Sequence, residues 1–305
     1  MWISNPGKVS AQIDYLGTRK NGTFLLKGHE AMLIGGGMSW TAPALEKQFA
    51  DLRYDPQCIR YLAVQHSHFD HCGAVPYLKR KFPHLQILAS AYAQKVFANP
   101  KAMDFMGKQN QQMIEQMGLT EEARRLGSHL DGIQVDRVVK EGDSINLGEG
   151  IVAEFMEVPG HTKCAIAVYV PKLEALFPTD AVPFPTDDGR EPSFPSPQFD
   201  YASFQASLAR LAALPVKILA NEHHGVLLGE EASQFIKEGL ARTNGLKKYL
   251  MEEYQQAGGL DQLAQRMADR AMAKNKMPFM DRETQVIVSR TVAQKMLADW
   301  LPAKA

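Results

Sequence analysis

The stretch that decides the fold of this chain is His66-Ser67-His68-Phe69-Asp70-His71. Four of its six side chains can bind a metal ion, and it follows an apolar run, Ile59 to Val64, that is typical of a buried strand. Imidazole and carboxylate ligands together suit zinc, iron or manganese better than calcium or magnesium. In an extended turn His66 and His68 point to the same side, whereas Asp70 and His71 must turn elsewhere. The spacing therefore predicts ligands for two adjacent ions and disfavours a surface loop that happens to be rich in histidine.

The composition limits the classes of function that the chain can have. Its 305 residues suffice for one large domain or two ordinary ones, and 34 Lys and Arg balance 34 Asp and Glu. A nucleic-acid partner normally needs a basic face, which this balanced sequence does not supply. The start of the chain lacks the features of a signal peptide, and no apolar stretch approaches a membrane span. Cys58, Cys72 and Cys164 follow no pattern, which indicates reduced thiols, so we expect a cytoplasmic protein with no membrane partner.

Strands and helices are predicted to alternate up to about residue 225. After Gly229 the pattern is helical, with stretches at Glu230 to Gln256, Leu260 to Lys274 and Arg282 to Leu301. The apolar surface of this tail is carried by Tyr249, Met251, Tyr254, Met272, Met277, Phe279, Met280 and Trp300. A surface of this extent has to be buried against something.

Two further segments allow two interpretations each. Residues 90–130 carry methionines at near-helical offsets, which favour an amphipathic helix on its own core over a pliable wall for a substrate; these are Met103, Met106, Met113 and Met117. The irregular loop Pro183 to Pro197 is rich in proline and phenylalanine. It could form an apolar lid over a site, or it could bury its rings against the core.

Three further candidate ligands follow the first motif, each just after a predicted strand: His161 in Pro159-Gly160-His161-Thr162, Asp180 after Glu174 to Phe177, and His223 after Val216 to Ala220. The first motif matches the signature HxHxDH, and in this order the residues resemble the metallo-β-lactamase fold superfamily. The resemblance implies an α/β fold, a four-layer αββα sandwich. It further implies a catalytic domain over residues 1–228 and a helical extension over residues 229–305 that covers the active site.

The resemblance also implies how the ligands are shared. One ion is expected to bind to His66, His68 and His161, a second to Asp70, His71 and His223, with Asp180 between them. The cofactors would be two divalent metal ions, zinc or iron, with manganese possible, and Asp70 would also take part in catalysis. Relatives commonly have Gly-Asp where this chain has Pro178-Thr179-Asp180, which leaves the geometry around Asp180 open.

Two adjacent histidines, His223 and His224, compete for the last ligand position. Relatives generally read GHG there, and this chain reads Glu222-His223-His224-Gly225. The two-residue step after the strand that ends at Ala220 favours His223 as the ligand. His224 is then either a proton donor to the leaving group or a histidine without a role.

A dinuclear site of this kind predicts a hydrolase. Two cations about 3.5–4 Å apart can share a bridging water, lower its pKa towards neutrality and polarise the electrophile, so that hydroxide is available near pH 7. The chain lacks the GxSxG pattern of a serine nucleophile, so the metal site has to supply the nucleophile. We expect hydrolysis of a small ester-type bond in a thioester, lactone or ester, with a phosphodiester as the alternative.

The stretch Glu30 to Gly37 and the helical tail are also similar to the PqsE-like quinolone-signal response proteins. This closer resemblance implies a small, partly apolar substrate and a homodimer formed through the helical extension. It also implies a rival function, that of a regulatory protein that acts through partner binding. A diiron redox protein is disfavoured, because those relatives typically have Glu at the place of His68.

Overall fold

Fourteen strands form two sheets of seven within residues 1–277 and 280–298, which this computed structural model describes. The strands are β1 (Trp2–Ile3), β2 (Gly7–Lys8), β3 (Ile13–Gly17), β4 (Gly22–Lys27), β5 (Ala31–Ile34), β6 (Ile59–Ala63), β7 (Gln86–Ala89), β8 (Arg137–Val138), β9 (Ser144–Asn146), β10 (Val152–Glu157), β11 (Ile166–Val170), β12 (Ala175–Phe177), β13 (Ile218–Asn221) and β14 (Gly225–Leu228). The first sheet has the order β2-β3-β4-β5-β6-β7-β8, and the second has the order β1-β14-β13-β12-β11-β10-β9. Neighbouring strands are parallel from β5 to β8 and between β12 and β13, and they are antiparallel elsewhere.

Nine α-helices accompany the sheets in the same described ranges. They are α1 (Ala42–Asp51), α2 (Val75–Lys81), α3 (Ala91–Phe97), α4 (Pro100–Gln116), α5 (Thr120–Leu126), α6 (Tyr201–Ala212), α7 (Glu230–Ala257), α8 (Leu260–Lys274) and α9 (Arg282–Met296). Local sequence sets several of their ends. For example, Asn99 caps α4 and is followed by Pro100, and Asp200 caps α6 by accepting a hydrogen bond from the Ser203 amide.

The two sheets pack face to face through alternating side chains. In β4, Phe24 and Leu26 point into the core between the sheets, whereas Leu25 points outward to the helices. The ring of Phe24 lies 5.4 Å from that of Phe177 in the opposite sheet. Helices α1 to α4 cover the outer face of the first sheet, and α6 with the start of α7 covers the second. This architecture confirms the predicted αββα sandwich.

The C-terminal helices form a core of their own and confirm the predicted helical extension. Leu250 of α7, Leu263 of α8 and Val292 of α9 are buried together. The first turns of α7 instead belong to the sandwich, because Phe235 and Ile236 pack on the second sheet. A single helix is therefore shared by the two parts, and the proposed boundary at residues 228 and 229 stays a prediction.

Parts of the predicted elements differ from the structure. The strand pair β1 and β14 was not predicted from the sequence. In α4, Met106 and Met113 are buried among core residues, whereas Met117, the residue after the last turn, is exposed, which agrees with an amphipathic helix. Phe279 and Trp300 of the predicted tail lie outside the described residues. No helix in the described ranges is long and apolar enough to cross a membrane.

Candidate metal centre

The seven predicted ligands come from loops that follow strands of both sheets, and the structure brings them together. His66 to His71 follow β6, and a short 3₁₀ turn at Phe69–His71 changes the direction of the chain within the motif. The remaining three lie in the loops after β10, β12 and β13, and the full set, here called the ligand cluster, is His66, His68, Asp70, His71, His161, Asp180 and His223. Side chains fixed at strand ends are held more rigidly than side chains on free loops.

The first triad consists of His66, His68 and His161. One ligand atom of each lies within 4.8 Å of the others. Within this triad, His161 Nε2 lies 3.0 Å from His68 Nδ1. Three imidazole nitrogens converging in this way form the kind of site that zinc and iron occupy.

The second triad consists of Asp70, His71 and His223. Its ligand atoms also lie within 4.8 Å of one another, with His223 Nε2 at 3.1 Å from His71 Nε2 and at 3.5 Å from Asp70 Oδ2. Asp180 lies between the triads, because its Oδ2 is 3.4 Å from His71 Nε2 and 3.3 Å from His161 Nε2.

Partners outside the cluster fix the orientation of the imidazoles. Backbone carbonyls accept from the Nδ1 atoms of His161 and His223, at 2.8 Å from Ser196 and 2.7 Å from Lys20. Each Nδ1 therefore carries the proton, and each Nε2 presents its lone pair to the cluster. His66 has a 2.7 Å contact between its Nδ1 and the Thr179 hydroxyl, and its buried Nε2 has no hydrogen-bond partner.

The electrostatics of the cluster favour a bound cation. Burial lowers the pKa of His66 well below its usual value and, with the neighbouring imidazole of His161, lowers the pKa of His68 to about 4. Burial would raise the pKa of Asp70 and Asp180, but His71 and the other imidazoles hold both pKa values well below the usual range. Neutral imidazoles and ionised carboxylates are the forms that bind metals.

Burial would lower the pKa of His223, but Asp70 and Asp180 raise it above its usual value, and carboxylates surround His71 in the same way. Burial alone would lower the pKa of His71, yet Glu222, Asp70 and Asp180 together raise this pKa well above the usual value. The fold thus favours a positive charge at this point. A divalent cation would supply that charge and release the proton, so the donor set, the orphaned His66 Nε2 and the charge balance all fit bound metal ions.

Glu222 and Thr179 hold ligands of the cluster and were missed by the sequence analysis. Glu222 is buried, and its Oε1 lies 3.0 Å from His71 Nδ1. Gly35 leaves room for this carboxylate, since a Cβ there would lie 2.5 Å from Glu222 Oε2. Thr179 occupies the position where relatives carry glycine, and its φ of 51° is in the left-handed region that glycine favours. In the sequence, the departure from Gly-Asp was the signal that could have pointed to a role for Thr179. Glu222 had no such signal apart from its place next to His223.

His223 joins the cluster and His224 does not. The His224 side chain is buried, stacks on Phe184 with ring centroids 5.5 Å apart, and places its Nδ1 3.3 Å from Asp187. Burial, together with the nearby Lys20, lowers the pKa of His224 to about 3. It does not line the cavity over the cluster. The structure thus gives His224 packing contacts beside the cavity, and its role as a proton donor to a leaving group stays a prediction.

A cavity of about 490 Å³ opens over the cluster. One side is formed by the ligand cluster, and another by the loop at residues 183–198, which includes Phe184 and Phe194. The loop thus contributes an apolar cover, as one of its two interpretations predicted, although Phe199 is exposed and lies outside the cavity. A third part of the lining, here called the helical wall, is formed by the apolar residues that α8 and α9 contribute: Met267, Ala271, Ile287, Val288 and Val292.

Comparison with known proteins gives a family match that spans the cluster. Residues 17–223 match the profile described as the metallo-beta-lactamase superfamily. A diflavin flavoprotein from Thermosynechococcus vestitus is 27% identical over 237 residues, which cover 72% of this chain and 36% of that protein. A hydroxyacylglutathione hydrolase from Hyphomonas neptunium is 50% identical over 48 residues, which cover 16% of this chain and 18% of that protein. The chain thus spans about a third or less of these relatives.

A solved structure shares the fold over nearly the whole chain. A metallo-beta-lactamase family protein from Thermus thermophilus superposes with a TM-score of 0.63 and covers 98% of this chain and 93% of its own. Its sequence identity is 16%, so this likeness concerns the fold alone.

Proposed function

We propose that this chain, which belongs to the metallo-beta-lactamase superfamily, is a metal-dependent hydrolase that uses two divalent metal ions to cleave a small ester-type bond. The bond would belong to a thioester, a lactone or another ester. The observation that carries this proposal is the convergence of two triads on one cavity, with Asp180 within 3.4 Å of an imidazole from each.

The residues of the cluster have separate tasks in this proposal. His66, His68 and His161 would hold one ion, Asp70, His71 and His223 the other, and Asp180 would contact both. When bound, the ions would acidify a water molecule and polarise the carbonyl group of the substrate. The Asp70 carboxylate lines the cavity and would orient the attacking water by accepting a hydrogen bond from it. The buried surroundings exclude bulk water, which strengthens these polar interactions.

The cavity favours a carboxylic ester over a phosphodiester. In the described part of the chain no Lys or Arg lines it, so a phosphate group would find no side-chain cation there. The lining is mostly apolar or neutral outside the cluster, which suits a small, partly apolar substrate. The free thiols of Cys58, Cys72 and Cys164 suit the cytoplasm.

Metal analysis combined with one conservative variant tests the proposal. Elemental analysis of purified protein should give two ions per chain. Asp180→Asn should lower kcat/KM for thioester and lactone substrates by about a hundredfold or more, since even changes outside the direct ligands cost 10–100-fold. Asp188→Asn is the matched control, because this carboxylate lies in the neighbouring loop, is largely exposed and does not line the cavity.

A regulatory function through partner binding is the rival, and the same variant separates the two. If Asp180→Asn abolishes turnover but leaves the biological effect of the protein intact, hydrolysis is not its role. A homodimer through the helical extension would accompany either function. Light scattering of purified protein tests that part of the proposal directly.

A further inference from the structure

We propose that the substrate of this site is uncharged and carries a straight hydrocarbon chain, which runs from the ligand cluster to the cavity mouth between Phe105 and Ile287. This inference rests on the proposed ester hydrolysis and narrows its substrate class. It follows from the charges along the cavity, from the change in burial towards its mouth, and from the elements that form the mouth.

The first observation is the distribution of charge in the cavity. Its ionisable lining residues in the described ranges all belong to the ligand cluster: His68, Asp70, His161, Asp180 and His223. The other polar groups of the lining are neutral amides and hydroxyls, such as Gln109, Ser193 and Asn275. A charged group on the substrate away from the reacting bond would lose its hydration without gaining an ionic partner, which is unfavourable.

The second observation is a continuous apolar path. The cavity lining includes Val182 and Phe204 of the sandwich and Met267 and Val292 of the C-terminal helices, all of which are buried. The cavity therefore has an apolar interior with its polar, ligand-bearing end on one side. An ester with a hydrocarbon chain has the same division into a polar and an apolar part.

The third observation concerns the mouth of the cavity. Phe105 of α4 and Ile287 of α9 both line the cavity, and because each is 60% exposed we infer that they lie where the cavity meets solvent. They come from different parts of the fold, one from the helices on the first sheet and one from the C-terminal extension. Two large apolar side chains that are exposed at the rim of an apolar cavity would be covered by a chain that leaves the cavity between them.

The continuity of the mouth with the cavity favours a substrate chain over a second copy of the protein. A partner subunit would cover Phe105 and Ile287 but would not fill a cavity of about 490 Å³ behind them. A hydrocarbon chain does both. The oligomeric state in the experiments below distinguishes the two occupants.

Two series of esters test the proposal on the full-length, metal-replete protein. One series lengthens the acyl side, as p-nitrophenyl esters from acetate to dodecanoate, and the other lengthens the alcohol side of acetate esters. In one of the two, kcat/KM should rise about fourfold per added methylene until the cavity is filled, the ratio that corresponds to ~0.8 kcal/mol per buried methylene. An ester whose chain ends in a carboxylate should have a kcat/KM about tenfold lower, or lower still, than the uncharged ester of the same length.

Variants at the mouth locate the effect. Phe105→Ala and Ile287→Ala should each lower the ratio of long-chain to acetate kcat/KM by roughly fivefold, because each removes apolar contact area from the outer chain. Met117→Ala is the matched control: this side chain is 39% exposed at the end of the same α4 region, lies outside the cavity, and should not change the ratio. Ile287→Lys should raise the relative rate for chains that end in a carboxylate.

A binding measurement keeps this inference separate from the proposed hydrolysis. In calorimetry, straight-chain alcohols should bind more tightly from butanol to octanol. If no ester is turned over but this trend is present and weakens in Ile287→Ala, the hydrolysis proposal fails and the chain site stands. If esters are hydrolysed without any dependence on chain length, the chain site is wrong. It is also wrong if both mouth variants dissociate a dimer and leave the ratio unchanged.

Discussion

The two sides of the cavity are built in different ways. On the side of the ligand cluster, imidazoles are held by hydrogen bonds to groups outside the cluster. For example, His161 donates to the Ser196 carbonyl and His223 to the Lys20 carbonyl. The helical wall presents aliphatic side chains, and its helix α8 is joined to the loop at residues 183–198 by the partly exposed ion pair of Lys274 with Glu191 at 2.6 Å. Exposed pairs of this kind contribute about 0–1 kcal/mol.

This difference suggests that reaction and substrate choice reside on separate elements. The ligand cluster is fixed by the sandwich, where small displacements would disturb the metal ions. The helical wall is fixed by apolar packing among α7, α8 and α9, which tolerates changes of side-chain volume more readily. Substitutions in the cluster should therefore change metal content, whereas substitutions in the wall should change substrate preference and leave metal content intact.

The largest effect is expected at the adjacent pair His223 and His224. His223→Ala should strip one metal ion and abolish most activity, since it removes one of three side chains in the second triad. His224→Ala should keep both ions, because its ring stacks on Phe184 and stays outside the cavity. Elemental analysis of both variants tests this. If the metal loss followed His224 instead, the register derived from the structure would be wrong.

We also expect that His224→Ala does not lower kcat more for substrates with poor leaving groups than for substrates with good ones. Its cost should appear in the free energy of unfolding, at about 1–2 kcal/mol, through loss of the ring stack and of the Asp187 contact. Denaturant unfolding and a series of leaving groups measure the two quantities. A leaving-group dependence that steepens in His224→Ala would instead support the role of His224 as a proton donor.

A smaller effect is expected for Glu222→Gln. The carboxylate lies 3.0 Å from His71 Nδ1 and favours the tautomer that presents Nε2 to the cluster. Its replacement by a neutral amide should lower metal affinity at the second triad by about 10–100-fold and leave the first triad less affected. Competition with a chelator, monitored by the visible spectrum of the cobalt-substituted protein, measures each site. An equal loss of metal affinity at both triads would contradict the assignment of Glu222 to the second triad.

The helical wall should respond in the opposite way. Met267→Ala should keep metal content and kcat for small esters near the parent values while KM for long-chain esters rises several-fold, since ~0.8 kcal/mol is lost per methylene contact. The buried Met267 also packs in the core of the extension, so the variant should lose about 2–3 kcal/mol of stability. Loss of metal in this variant would show that the two sides of the cavity are not separable.

The sequence predicted the elements whose signals are local. The strand β6 and the motif after it could be located from an apolar run and the ligand spacing, and the long helices α7 and α8 from their periodicity. The strands β1 and β14 could not, because their pairing joins Trp2 to Leu227 across nearly the whole chain and neither strand shows alternation of its own. Glu222 and Lys20 were missed for the same reason, since their partners are brought close only by the fold.

The smallest effects are expected at Thr179, where substitutions can separate the contribution of the backbone from that of the side chain. Its φ of 51° is unfavourable for a β-branched residue by about 1 kcal/mol or more, yet its hydroxyl lies 2.7 Å from His66 Nδ1. Thr179→Gly should relieve the strain and lose the hydroxyl contact, Thr179→Ala should lose the contact and keep most of the strain, and Thr179→Ser should keep the contact. For the metal-free protein, we expect the free energy of unfolding of Thr179→Gly to be about 1 kcal/mol higher than that of Thr179→Ala.

Metal affinity should rank these variants differently. Thr179→Ser should stay near the parent value, whereas the glycine and alanine variants should both bind metal at the first triad several-fold more weakly, because His66 loses the partner that fixes its ring. Stability and affinity thus separate the backbone from the side chain at one residue. If Thr179→Gly is more stable than the parent protein and binds metal with the same affinity, the Thr179 hydroxyl does not position His66. The ligand cluster would then depend less on its outer partners than the comparison of the two sides of the cavity implies.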